Sequence, residues 1–259
     1  MKNRWIISCV VAFCAVSLMQ AESREPVALR TSTQILVVTT QDWNVVDGTM
    51  QAYERPQARK RWKAAGDPIP IVVGKNGLGW GAGVASARDA GRLGKLGPIK
   101  KEGDGKSPAG IFRLSTAFGY AAQGLPGWKM PYMSLTPSVE CVDDARSKFY
   151  NHVLDRATVA PDWNSSEQML RPDGLYRWGL MVDHNTEPVI AGGGSCIFLH
   201  LWLGNGQGTT GCTAMAQEQL EGVLARLDPA RRPLLVQLPR AQYKKLRRHW
   251  KLPALPKQR

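Results

Sequence analysis

The chain has few of the residues that bind metals. Its 259 residues include four histidines and five cysteines, and no two cysteines form a C-x-x-C pair. Cys196-x-x-x-His200 with Cys212 comes nearest to a zinc set, but an extended strand would hold residues 196 and 200 about 13 Å apart on one face, too far for one ion. Zinc is therefore not expected. A phosphate loop is missing too. GKNGLG, from Gly74 to Gly79, lacks the G-x-x-x-x-G-K-[ST] spacing and no helical pattern follows it closely, which argues against nucleotide binding. There is no internal repeat and no long low-complexity segment. Charged residues make up 21% of the chain and hydrophobic ones 43%, which excludes a disordered protein and suffices for one domain with its own core.

Acidic residues are absent from Pro229 to Arg259, which carries ten Lys or Arg. At the other end, MKNRWIISCVVAFCAVSLMQAES joins two cations, Lys2 and Arg4, to an apolar run from Trp5 to Met19 and a small residue, Ala21. This is the pattern of a cleaved signal peptide over 1–21, and the run is shorter than the roughly 20 residues of a membrane-spanning helix. Phe13 is too bulky for Cys14 to read as a lipidation site. Removing 1–21 takes away Lys2 and Arg4 and no acid, so the net charge of +13 becomes +11. We expect a periplasmic protein whose basic end suits an anionic wall polymer or membrane surface, with no nucleic-acid partner.

Residues 22–32 read as a flexible lead-in. TQILVVTT, Thr33 to Thr40, is a β-branched run of strand length; TMQAYERP alternates weakly, and IPIVVGKNGLGWG is a strand running into glycine punctuation. These look like successive antiparallel strands. KEGDGKSPAGIFRLSTAFGY adds a Gly-Asp-Gly turn and a short apolar strand. Pro126 to Leu170, rich in Pro, Trp, Asp and Ser, reads as an irregular wall around a site. GLYRWGLMVDHN and SCIFLHLWL are strands, the second apolar enough to be buried on both faces. Leu220, Val223, Leu224 and Leu227 form the stripe of a helix from near Ala216 to before Pro229. PLLVQLP is a last strand, and Tyr243, Leu246 and Trp250 mark one face of a short basic helix.

With Cys9 and Cys14 lost in the signal, Cys141, Cys196 and Cys212 remain. Three is odd: either one pair forms and one thiol is free, or all three are free. Cys212 follows a run of small residues and stands four residues before the helix, where unpaired backbone N–H groups stabilise a thiolate. Thr209, Thr210 and Gly211 let the backbone turn tightly and aim N–H groups at an oxyanion. A thiol with a pKa near about 8.5 gains from a neighbouring base. His249 lies in the basic end and His152 in the middle segment, which leaves His184 and His200. His200, twelve residues before Cys212 at the end of a buried strand, is the better placed.

The order GDGKSPAGIF, Gly103 to Phe112, then SCIFLHLW, then TTGCTAM resembles the L,D-transpeptidases with the YkuD-type catalytic domain, in particular a branch with the extra segments ECVDDARSKFYN and DWNSSEQM. The resemblance runs from Thr33 to Pro253. It implies a mainly β, sandwich-like fold with a few short helices, a catalytic domain over 33–240 and a basic C-terminal segment over 241–259. It also implies Cys212 as nucleophile, His200 as its base, the Leu201 carbonyl orienting the imidazole, and the N–H groups of Gly211 and Cys212 as oxyanion site. The implied reaction joins peptidoglycan stem peptides in cell-wall biogenesis and cell-shape maintenance, with no cofactor or metal.

Many relatives carry histidine where this chain has Thr210, and Arg or Asn where it has Ala214. The usual partner of the stem carboxylate is then missing, and His184, Arg177 and Arg113 are the candidates to replace it, with Thr209, Thr210 and Trp202 lining the substrate. With Cys212 taken as nucleophile, Cys141 and Cys196 remain as a disulfide pair, worth roughly 4 kcal/mol in the chain-entropy picture. Two rivals stand beside this reading: an amidase or endopeptidase using the same cysteine, and a non-catalytic wall-binding module. A papain-like protease is disfavoured, since its cysteine precedes its histidine. The sequence sets no oligomeric state.

Overall fold

The computed structural model describes residues 25–84 and 97–256; the expected signal peptide lies outside them. The β-branched run forms β1 (Gln34–Thr40), followed by β2 (Asp47–Glu54), β3 (Lys63–Ala64), β4 (Ile69–Val72) and β5 (Leu78–Trp80). The next strand, β6 (Ser107–Gly119), spans 13 residues and is far longer than its sequence pattern implied. Gly110 lets it continue, with a φ of 145° that a side chain rarely adopts. Then come β7 (Tyr132–Ser134), β8 (Val139–Val142), β9 (Val153–Asp155), β10 (Ser166–Gln168), β11 (Trp178–Val182), β12 (Phe198–Leu201), β13 (Thr213–Met215) and β14 (Leu234–Pro239). The helices are α1 (Val27–Thr31), α2 (Gln217–Arg226) and α3 (Arg240–Leu246). Among the described residues no helix is long and apolar enough to cross a membrane.

The expected mainly β architecture is present, but its sheet closes on itself. The path β1-β14-β6-β11-β12-β13-β4-β2 returns to β1, which pairs antiparallel with β2 and parallel with β14. Closure leaves a barrel, which satisfies the backbone of strands that would be edges in an open sandwich. The closing pairing joins the two ends of the chain, from Ile35 opposite Leu234 to Thr40 opposite Pro239. Both strands are buried throughout, because the barrel core covers one face and α3 packs on the other. Helix α2 rests on β11 and β12 through Leu220, Val223 and Leu224.

The fold extends past 33–240 at both ends. The segment expected to be a flexible lead-in contributes α1, whose Leu29 is buried in the main core. The basic end is anchored as well: Tyr243, Trp250 and Leu252 are buried in that core, and the Tyr243 hydroxyl donates to the Pro253 carbonyl over 3.0 Å. Removing one such large apolar side chain costs roughly 3–5 kcal/mol, enough to fix the segment to the barrel.

Outside the barrel, the segment expected to be irregular forms a second sheet, β10-β8-β9. Glu140 is its polar hub. It accepts hydrogen bonds from Trp163 Nε1 (3.0 Å), Ser166 Oγ (2.7 Å), Gln168 Nε2 (3.0 Å) and Arg156 Nη1 (3.3 Å). Burial pushes its pKa up, but the hydrogen bonds from Ser166, Trp163 and Arg156 outweigh burial and hold it below the ordinary value. A small second core lies between this sheet and the barrel, built from Phe118, Leu135, Met169, Tyr176, Phe198 and the three cysteines 141, 196 and 212. Cys141 and Cys196 are joined in a disulfide that ties β8 to the entry of β12.

Candidate active site

The period-2 alternation of β12 sorts its side chains. Leu199 and Leu201 belong to the barrel core, while Phe198 packs into the second core and His200 follows it on the same face. Strand β13 runs parallel to β12, with Thr213 opposite Leu199 and Ala214 opposite His200. Cys212, one residue earlier, therefore falls beside Phe198, whose N–H donates to Cys212 Sγ over 3.3 Å. The thiol in turn donates to the Cys196 carbonyl over 3.4 Å. Ser107 Oγ (2.7 Å) and Thr209 Oγ1 (2.6 Å) both donate to the Cys212 carbonyl, and Gly74 N donates to Ser107 Oγ over 2.8 Å.

Burial pushes the Cys212 thiol up to about 12; the negative charge of Glu167 adds to this, and the Phe198 amide and Tyr176 hydroxyl oppose it. The helix terminus expected to stabilise a thiolate does not reach the sulfur. Residues 213–215 are extended as β13, roughly 10 Å of strand, and a helix dipole fades within its first turn. The expected oxyanion donor at Gly211 is also committed, donating to Thr209 Oγ1 over 3.1 Å.

His200 is buried, and its Nδ1 lies 2.6 Å from the Leu201 carbonyl. A carbonyl only accepts, so Nδ1 carries the proton and Nε2 keeps its lone pair. Burial pushes the imidazole down to about 4, so it is neutral at pH 7. Among the described residues no hydrogen bond links His200 directly to Cys212. Tyr176 lies close to both: its ring stands edge-on to the imidazole at 5.1 Å, and it shares the second core with Cys212. That hydroxyl also donates to Glu167 Oε1 over 2.6 Å. Arg171 completes the group. Its Nη1 donates to Glu167 Oε1 and its Nε to Asp173, each at 3.1 Å, and its guanidinium lies 5.2 Å over the Tyr176 ring.

Two adjoining cavities share Glu167, Arg171 and Thr210. One, of about 450 Å³, is bordered by charged side chains and by Gly211 and Cys196. The other, of about 200 Å³, is bordered by Tyr176, His200, Leu201, Trp202, Thr209 and Ala214. The structure thus gathers Cys212, His200, Leu201, Trp202, Thr209, Thr210 and Gly211 at or just beneath this pair of cavities.

Three expected carboxylate partners are elsewhere. His184 lines neither cavity. It is buried edge-on to Phe112 with Nε2 3.1 Å from the Gly193 carbonyl, and this burial pushes its pKa down to about 4. Arg177 is exposed and borders neither cavity, since alternation before β11 turns Tyr176 inward and Arg177 outward. Arg113 borders a separate cavity with Leu114, Pro233 and Leu234. Cys196, spent in the disulfide, cannot ligate zinc. Glu167, Tyr176 and Arg171 were not singled out in the sequence. Their one signal was position: Glu167 lies in the extra segment DWNSSEQM, and Tyr176 two residues before a strand.

No family model matches the chain, and no curated protein matches it. Among solved structures the chain is similar to the structure of Bdellovibrio bacteriovorus Bd1075, with a TM-score of 0.36 and 11% identity. The match covers 88% of this chain and spans 58% of that one.

Proposed function

We propose that this chain is an exported, periplasmic, cysteine-dependent acyl transferase with a YkuD-type catalytic domain, acting on peptidoglycan stem peptides as L,D-transpeptidases do. One observation carries the reading. Among the described cysteines Cys141 and Cys196 are joined and Cys212 is the free one, set on the neighbouring backbone to a neutral His200 whose Nε2 is not used by Leu201.

Cys212 Sγ attacks a stem-peptide carbonyl, its proton passes to His200 Nε2, and the leaving amine takes that proton as the thioester forms. A second stem amine then attacks the thioester and releases Cys212. A thiol pushed up to about 12 beside an imidazole pushed down to about 4 does not ionise in the free protein. Proton transfer therefore accompanies attack, as general-base catalysis, and does not precede it. The thiol proton must leave the Cys196 carbonyl for His200 to take it. Exchanging one peptide bond for another is nearly isoenergetic and needs no cofactor. Trp202, half-buried beside His200, excludes water that would compete with the amine. Lys244, Lys245, Arg247 and Arg248 remain exposed on and after α3 and suit an anionic wall polymer or membrane surface.

A second reading, a wall-binding module without catalysis, is favoured by the burial and full hydrogen bonding of the Cys212 thiol. Incubating residues 22–259 and the Cys212→Ala variant with disaccharide tetrapeptides, and weighing the products, separates the readings. Cys212-dependent dimers lacking one terminal amino acid support transfer. Cleaved monomers alone mean an amidase or endopeptidase, and wall binding without any product means the module.

A further inference from the structure

The larger cavity has charges that acyl transfer leaves unused. Of its cations, Lys100 Nζ is paired with Asp104 at 2.7 Å, and Arg171 with Glu167 and Asp173. Of its anions, Glu102 accepts from the Tyr150 hydroxyl and from Ser195 Oγ (2.7 Å), and Glu167 from Tyr176 and Arg171. Two groups are left over. Lys75 is exposed, and among the described residues its ammonium has no ion pair and no hydrogen bond. Asp143 is half-buried in the cavity wall, with Oδ1 closed off and without a donor.

Lys75 is not a loose surface side chain. Its N–H donates to the Thr209 carbonyl over 2.7 Å, and Thr209 N donates to the Val73 carbonyl over 3.0 Å, so its loop is bonded to the turn that leads into Cys212. Its aliphatic stem lies along bare backbone. A Cβ on Gly105 would stand 3.1 Å from Lys75 Cγ and Cε, and one on Gly208 3.1 Å from Lys75 Cβ. At the other pole, the Asp143 carboxylate borders the cavity with no ion pair and no hydrogen bond among the described residues, so its negative charge is left for a ligand's N–H.

We propose that this cavity binds a zwitterionic amino-acid end of a peptide, its carboxylate on Lys75 and its ammonium on Asp143, next to Cys212. That the peptide is a wall stem rests on the acyl-transfer reading. The cavity then supplies the carboxylate contact that Ala214 cannot make. An exposed lysine–carboxylate pair is weak, so each pole contributes a modest, separate share of the selectivity.

Calorimetric titration of residues 22–259 with N-acetyl-Ala-Glu-Lys, whose last residue carries both charges, tests this against its C-terminal amide and its Nε-acetyl form. The parent chain is expected to prefer the doubly charged peptide over either blocked form by about threefold to tenfold. Lys75→Gln should abolish discrimination between acid and amide and leave discrimination at the ammonium, with Lys75→Arg restoring it. Asp143→Asn should do the converse. Equal binding of all three peptides by the parent, no binding of any, or preferences unchanged in both variants overturns the proposal. The same preparations are given disaccharide tetrapeptides. The charge pattern without an acyl product would leave the site standing and remove the transfer reading, and an acyl product without the pattern would do the reverse.

Discussion

The Tyr176 hydroxyl donates to Glu167 Oε1 over 2.6 Å, and the two residues push the nearby Cys212 thiol in opposite directions. After burial, the Glu167 charge is the next cause that raises Cys212, while the Tyr176 hydroxyl lowers it. The two residues must then act in opposite directions. Glu167→Gln is expected to speed iodoacetamide labelling of Cys212 at pH 8 by about threefold to tenfold, since one pKa unit is a factor of ten in thiolate. Tyr176→Phe is expected to slow it. Labelling rates that move together in both variants would contradict this account of the site.

The disulfide closes a loop between residues 55 apart and fastens the second sheet to the strand that carries His200. Its removal by Cys141→Ala with Cys196→Ala should destabilise the chain by about 4 kcal/mol, read from urea denaturation. Alkylation of unfolded residues 22–259 should add one label without reductant and three with it. Three labels without reductant would remove the disulfide.

Burial disfavours the charged ring of His200 and His184 and pushes both down to about 4 in the fold from an ordinary 6.5. Below about pH 6.5 the unfolded chain takes up protons that the fold refuses. Stability from these groups is full above that pH, falls by at most about 1.4 kcal/mol per pH unit per histidine, and levels off below about 4. Glu167 and Asp183, whose carboxyls burial raises, act in the opposite sense as the pH falls through their folded pKa values. Urea midpoints from pH 7.5 to 4.5 should therefore drop less steeply for His184→Gln than for the parent. Parallel curves would contradict the assignment.

Local pattern made several elements legible. The β-branched run at 34–40, the apolar run at 234–239 and the three-four-seven stripe from Leu220 to Leu227 each became the element expected. The juxtaposition of the His200 strand with the Cys212 turn was expected from the family resemblance and the spacing, not from local pattern, because it depends on two short strands pairing in parallel. Barrel closure was not legible, because it depends on β1 meeting β14 across nearly the whole chain, a register no local period encodes. The thiolate argument at Cys212 failed for a local reason: TAM reads equally as a helix approach or a strand, and it pairs as a strand with β12. Tyr176 and Glu167 were missed because their roles exist only where a pre-strand residue and the extra sheet meet at the sulfur.

The central claim is that Cys212 is the acylated nucleophile. Intact-mass spectrometry of residues 22–259, quenched in acid within seconds of mixing with disaccharide tetrapeptide, tests it most directly. The account predicts an adduct equal to the donor less its terminal amino acid, placed on Cys212 by peptide mapping, released by hydroxylamine, and strongly reduced in His200→Gln. An unmodified Cys212 in a preparation that still turns over the tetrapeptide, or an adduct that persists in Cys212→Ala, would contradict it.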